Sequence, residues 1–144
     1  MKKRLNLIRL SAVCLYMAAF LTACSVVDLN AGAGEKVENL EYVILDEDRI
    51  PEELMPLIEE RYEEAFQMTY TDNDYLYVCI GYGEQENSGY TIVVNDFFRG
   101  ENGVLVDTSL IGPTAGEERI NEPQYAYIVL RTEALEEETP MYWK

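Results

Sequence analysis

Strand-length runs of Val, Ile, Leu and Tyr, each closed by turn residues, recur from Met68 to Thr132. This repetition is the strongest constraint on the fold, because such runs need partners on both sides to satisfy their backbone groups. Tyr75 to Tyr82 alternates Leu76, Val78 and Ile80 against Tyr75, Tyr77 and Cys79. Both faces are apolar or aromatic, which predicts a central strand. Met68–Thr71, Tyr90–Phe98, Val104–Leu110 and Gln124–Thr132 are the other long candidates, with Glu41–Leu45 as a short one before them. Asp72-Asn73-Asp74 and Glu101-Asn102-Gly103 read as turns.

One segment breaks the pattern. From Pro51 to about Gln67 the period changes to helical, with three- and four-residue steps through Leu54, Leu57 or Ile58, Arg61 or Tyr62, and Ala65 or Phe66. Pro51, Glu52 and Glu53 suit a first helical turn. Pro56 conflicts with a helix that starts so early and marks a later start or a kink. The expected fold class is therefore α+β. One N-terminal helix packs on a mainly antiparallel, curled sheet of about five strands.

The N-terminus reads as a targeting segment. Lys2, Lys3, Arg4 and Arg9 precede an uncharged apolar run, Leu10 to Leu21. Twelve residues of helix span about 18 Å, short of a bilayer core of about 30 Å. Leu21-Thr22-Ala23-Cys24 resembles a bacterial lipobox, which implies cleavage before Cys24 and lipidation of that residue. The expected division is a signal peptide over 1–23 and a lipidated Cys with a flexible tether over 24–40. The domain follows over 41–133, and an acidic mobile tail over 134–144. The expected location is the bacterial cell membrane, with the domain lipid-anchored on the outer side of the cytoplasmic membrane.

Charge and residue types exclude several functions. The chain carries 27 acidic and 11 basic residues for a net charge of −16, and it has no histidine. Four of those bases lie in the targeting segment, so the remainder is strongly acidic and repels nucleic acid and anionic lipid. The membrane is then a partner through Cys24 alone, and nucleic acid is not a partner. Without histidine there is no Ser-His-Asp or Cys-His nucleophile system and no imidazole-ligated metal. Cys79 is the only cysteine left after Cys14 and Cys24, so no intramolecular disulfide forms in the mature chain. Its strand setting reads as a buried, inert thiol. Asp72-Asn73-Asp74 does not continue as an EF-hand loop, since Leu76 and Tyr77 fall where a ligand and a glycine are needed. No catalytic residue, metal ligand or cofactor is assigned.

Recognition features are more distinct. Gly81 to Tyr90 sets three glycines, Gly81, Gly83 and Gly89, around a polar loop between two strong strands. Gly112-Pro113 is a second punctuated turn. Candidate binding residues are Gly83, Asn87, Ser88, Gly89, Tyr90, Gly112 and Pro113, with Tyr125 and Tyr127 on a strand face.

Gly81 to Glu84, Ser88-Gly89-Tyr90-Thr91-Ile92, Leu110 to Pro113 and Pro123 to Thr132 follow in an order that resembles the PrcB C-terminal-like family. The resemblance covers about Glu41 to Thr132. Two departures are Asn87-Ser88-Gly89 in place of Thr-Gly-Gly and Ala126 in place of Pro. The resemblance implies a non-catalytic lipoprotein that binds a surface protease and helps stabilise or mature it. The alternatives are a free-standing protease inhibitor and a peptide- or glycan-binding module that uses the same loop and tyrosines.

Overall fold

The computed structural model describes residues 32–114, 116, 120–135 and 139–144. The targeting segment, Cys24 and the first part of the expected tether lie outside the described residues. So do parts of the 114–122 stretch and of the acidic tail.

Among the described residues, eight strands form two four-stranded sheets. They are β1 (Lys36–Asn39), β2 (Val43–Ile44), β3 (Ala65–Thr71), β4 (Tyr75–Gln85), β5 (Thr91–Gly100), β6 (Val104–Ile111), β7 (Gln124–Glu133) and β8 (Met141–Trp143). One sheet runs β1-β5-β6-β8 and the other β2-β7-β4-β3. Every pairing is antiparallel except β6 with β8. As its composition suggests, β4 is internal to its sheet, flanked by β7 and β3.

The expected α+β class is corrected. Strands hold 52% of the described residues and helical turns 8%, and no helix reaches seven residues. Among the described residues the single α-helix, α1, covers Met55–Glu59, after a 3-10 turn at Glu47–Arg49. Pro56 sits in its first turn, where its missing N–H costs nothing, and it prevents the helix from starting near Pro51. At the other end the period is that of a strand, Ala65–Thr71, and not of a helix. Phe66 continues a helical step from Tyr62, but Phe66, Met68 and Tyr70 also alternate with Gln67, Thr69 and Thr71. Alternation wins because β4 offers a complete pairing partner, from Ala65↔Tyr82 to Thr71↔Leu76.

Two apolar layers follow from this arrangement. Leu76, Val78, Ile80 and Leu130 of one sheet meet Phe97, Val104 and Val106 of the other, forming the sandwich core. The opposite face of β4 and β7 presents Tyr77, Cys79 and Val129 to Leu45, Ile50, Leu54 and Ile58. The short helix thus covers the second sheet with two residues one turn apart, Leu54 and Ile58, both at 0% exposure. Each such side chain contributes about 1.5–3 kcal/mol by leaving water.

Strand parity is adjusted inside β5. Ile92 and Val94 face the core, and so does Phe97, an odd-numbered position. A bulge between Val94 and Asp96 absorbs one residue, so that Val94 lies opposite Thr108 and Asp96 opposite Asp107. The two facing carboxylates are balanced by Lys36, 2.6 Å from Asp96, and Lys144, 3.7 Å from Asp107.

Ordered structure reaches beyond 41–133 at both ends. β1 pairs with β5, and the carbonyl of Ala33 accepts from Asn102 N–H at 2.9 Å. β8 joins β6, with Lys144 N–H donating to the Val106 carbonyl at 3.0 Å. Among the described residues, no helix is long and apolar enough to cross a membrane.

Candidate recognition site at one end of the sandwich

Antiparallel pairing brings four strand ends together. Thr91 of β5 lies opposite Ile111 of β6, and Gln85 of β4 lies opposite Gln124 of β7. The β4–β5 connection and the β6–β7 connection therefore emerge at the same end. These are the two loops that carry most of the candidate residues.

The loops are tied to each other. Ser88 N–H donates to the Ile120 carbonyl at 3.1 Å, and Ile120 N–H donates to Ser88 Oγ at 3.0 Å. A Cβ on Gly89 would lie 3.1 Å from Pro113 Cβ, and Gly89 holds φ +95°, a conformation that L side chains rarely adopt. A Cβ on Gly112 would lie 3.3 Å from the Tyr90 ring. Ser88, Gly89, Tyr90, Gly112 and Pro113 thus converge in one loop junction. Asn87 is half-buried beside them. Ile120, absent from the sequence-based candidates, completes the junction. Its signal was weak, an isolated apolar residue in a polar stretch.

Gly83 serves a different contact. It sits at φ +76° in a bulge of β4, between the Gly81 and Glu84 pairings with β7. A Cβ there would approach the backbone of Glu63 at 3.1 Å and of Ala65 at 3.2 Å. Glu84 N–H donates to the Glu63 carbonyl at 3.2 Å, so the chain after α1 clasps the bulge. Tyr125 lies on this side, its ring centroid 4.1 Å from that of Tyr62. Desolvation, with Glu84 and Glu63 nearby, pushes the Tyr125 phenol up from its ordinary value. Tyr127 is half-buried against the layer beneath α1. Desolvation, then Glu47 and Glu59, push its phenol up as well. The two strand tyrosines therefore do not join the loop junction. They pack against the segment that carries α1.

The turn at Asp72 is structural. Asp72 Oδ1 accepts from the N–H groups of Asp74 at 2.9 Å and Tyr75 at 2.7 Å, and Oδ2 accepts from the Tyr77 hydroxyl at 2.9 Å. Those backbone hydrogen bonds hold the carboxyl below its ordinary value. Cys79 is a free, buried thiol that burial pushes up to about 12, far from a thiolate at neutral pH.

Apolar side chains border the junction in the open. Ile120 is 60% exposed, Ile111 49% and Val93 42%. Exposed apolar side chains around shaped loops suit contact with another protein. No curated protein and no solved structure matches this chain. The span from Leu76 in β4 to Glu133 at the end of β7 contains both connections of the junction, and over residues 76–133 the chain matches the sequence model of the PrcB C-terminal family.

Proposed function

We propose that this protein is a non-catalytic accessory subunit of an extracellular protease complex, held at the membrane by lipid on Cys24, which stabilises the protease or assists its maturation. The family match over 76–133 supports the association with a protease complex. The observation that carries the reading is the loop junction. Ser88 and Ile120 fix two connections against each other, and Ile111 and Ile120 stand exposed beside Tyr90 and Pro113. Such a surface is shaped before it meets a partner, which lowers the ordering cost of binding. The acidic surface favours a basic partner face.

The test is cross-linked capture from native membranes, with mass spectrometry, using the wild-type chain and a Ser88→Arg, Tyr90→Ala variant. The expected result is a surface protease recovered by the wild type and lost with the variant, together with a shorter protease lifetime in cells lacking the chain. Recovery of no protease by either chain would overturn the reading. Stoichiometric inhibition of the recovered protease would favour an inhibitor instead.

A further inference from the structure

β3 is an edge strand with none of the usual guards. It is seven residues long, Ala-Phe-Gln-Met-Thr-Tyr-Thr, with no charge and no proline. Its register with β4 runs without a bulge from Ala65 to Thr71. Among the described residues, no element pairs with its outer edge. Natural edge strands are blunted by Lys, Pro, bulges or short length, because a flat open edge recruits another strand. Here Ala65, Gln67, Thr69 and Thr71 are all exposed, since the opposing sheet does not extend over them.

The surroundings define what fits. Acidic groups stand at both ends of β3. At its start, Glu60, Arg61, Glu63, Glu64, Ala65 and Phe66 line a hollow of about 230 Å³. Arg61 is engaged with Glu60 at 3.2 Å and with the Leu57 carbonyl at 2.9 Å, and among the described residues no cation forms an ion pair with Glu63 or Glu64. At the far end stand Asp72 and Asp74, both exposed. A second copy of this chain is a poor occupant. Antiparallel pairing of two β3 strands would set Glu63 and Glu64 of one copy beside Asp72 and Asp74 of the other, between molecules of net charge −16.

We propose that the outer edge of β3 binds an extended segment of a partner protein by strand addition, and that the segment carries Lys or Arg on both sides of an uncharged stretch. Backbone hydrogen bonds to β3 supply affinity, and the acidic ends supply selectivity. Seven paired residues span about 23 Å, so the basic flanks reach the acids at either end. The hollow lined by Glu63 and Glu64 receives one basic head. This surface is separate from the loop junction, and the proposal stands whether or not the partner is a protease.

The experiment uses the full chain in mild detergent and two synthetic peptides, Lys-Lys-Thr-Val-Thr-Val-Thr-Lys-Lys and its counterpart with Glu at all four Lys positions. Binding is read by fluorescence anisotropy, and its location by hydrogen exchange of the 65–71 amides. Expected are saturable binding of the Lys peptide, slower exchange confined to β3 and β4, and no binding of the Glu peptide. Glu63→Lys with Glu64→Lys weakens binding about tenfold at 0.1 M salt, where charges act over about 10 Å. Gln67→Lys with Thr69→Lys, both at exposed positions, abolishes it. The Ser88→Arg, Tyr90→Ala chain binds the Lys peptide as the wild type does. Equal binding of both peptides, protection elsewhere, or loss of binding in the loop variant would overturn the proposal. Concentration-dependent protection of β3 without peptide would overturn it in favour of self-pairing.

Discussion

Ser88 and Ile120 hold each other by two hydrogen bonds across thirty-two positions of sequence, one through the backbone and one through the serine hydroxyl. The second bond depends on a side chain that the glycine of the related Thr-Gly-Gly pattern could not supply. Ser88→Ala should free the Ile120 N–H and cost about 0.5–1.5 kcal/mol at most, since the site is open to water. Faster amide exchange at Ile120, with little change in the global unfolding midpoint, is the expected result.

Gly83→Ala should act globally. The residue holds a left-handed conformation and faces backbone atoms at 3.1 to 3.2 Å. The conformation alone costs about 1–2 kcal/mol for an L side chain. Crowding against Glu63 and Ala65 adds to that cost. Urea denaturation should show a lower midpoint with an unchanged slope.

Asp72 makes the turn before β4 sensitive to acid. Backbone hydrogen bonds from Asp74 and Tyr75 lower its folded-state pKa below 3.8. The unfolded chain then binds the proton more readily, so the stabilisation is present above pH 3.8 and is lost as pH falls through the folded value. Asp72→Ala should lower the denaturation midpoint at neutral pH and remove this part of the acid dependence. Thermal melts of both chains between pH 6 and pH 2.5 check it.

Cys79 should be silent to thiol reagents. It is fully buried and pushed up to about 12. At pH 8 the native chain should not react with a disulfide reagent such as dithionitrobenzoate. Addition of urea through the unfolding transition should release a reactive thiol, provided that Cys24 is lipidated and Cys14 removed. Rapid labelling of Cys79 in the native state would show that the layer beneath α1 opens.

Most of the strands were legible because their alternation is local. Tyr75–Tyr82, Val104–Leu110 and Gln124–Thr132 lie within β4, β6 and β7. The arrangement into two sheets was not legible, because it depends on which inward face meets which. Leu76, Val78 and Ile80 look alike in sequence whether they face a helix or a second sheet. β8 was hidden by a different cause. Met141-Tyr142-Trp143 is short, follows a charged stretch, and gains its strand form from β6. At the site, the glycines and Pro113 could be read locally, whereas the Ser88–Ile120 tie could not, being a contact distant in sequence. Tyr125 and Tyr127 were legible as strand residues, but their packing partners, Tyr62 and the layer beneath α1, depend on the third dimension.

The bulge in β5 leaves this strand a position where a lost codon does little harm. Removing a residue from a paired strand normally turns everything beyond it inside out. Removing Asn95 would instead leave Val94 opposite Thr108 and Asp96 opposite Asp107, each pair intact and adjacent. Ile92, Val94 and Phe97 would keep facing inward in plain alternation. The cost would be the two hydrogen bonds that Asn95 donates, to Asp107 at 3.0 Å and Ser109 at 2.7 Å, on the outer surface. Deletion of Asn95 should therefore leave the chain folded, with the inward residues of β5 unchanged.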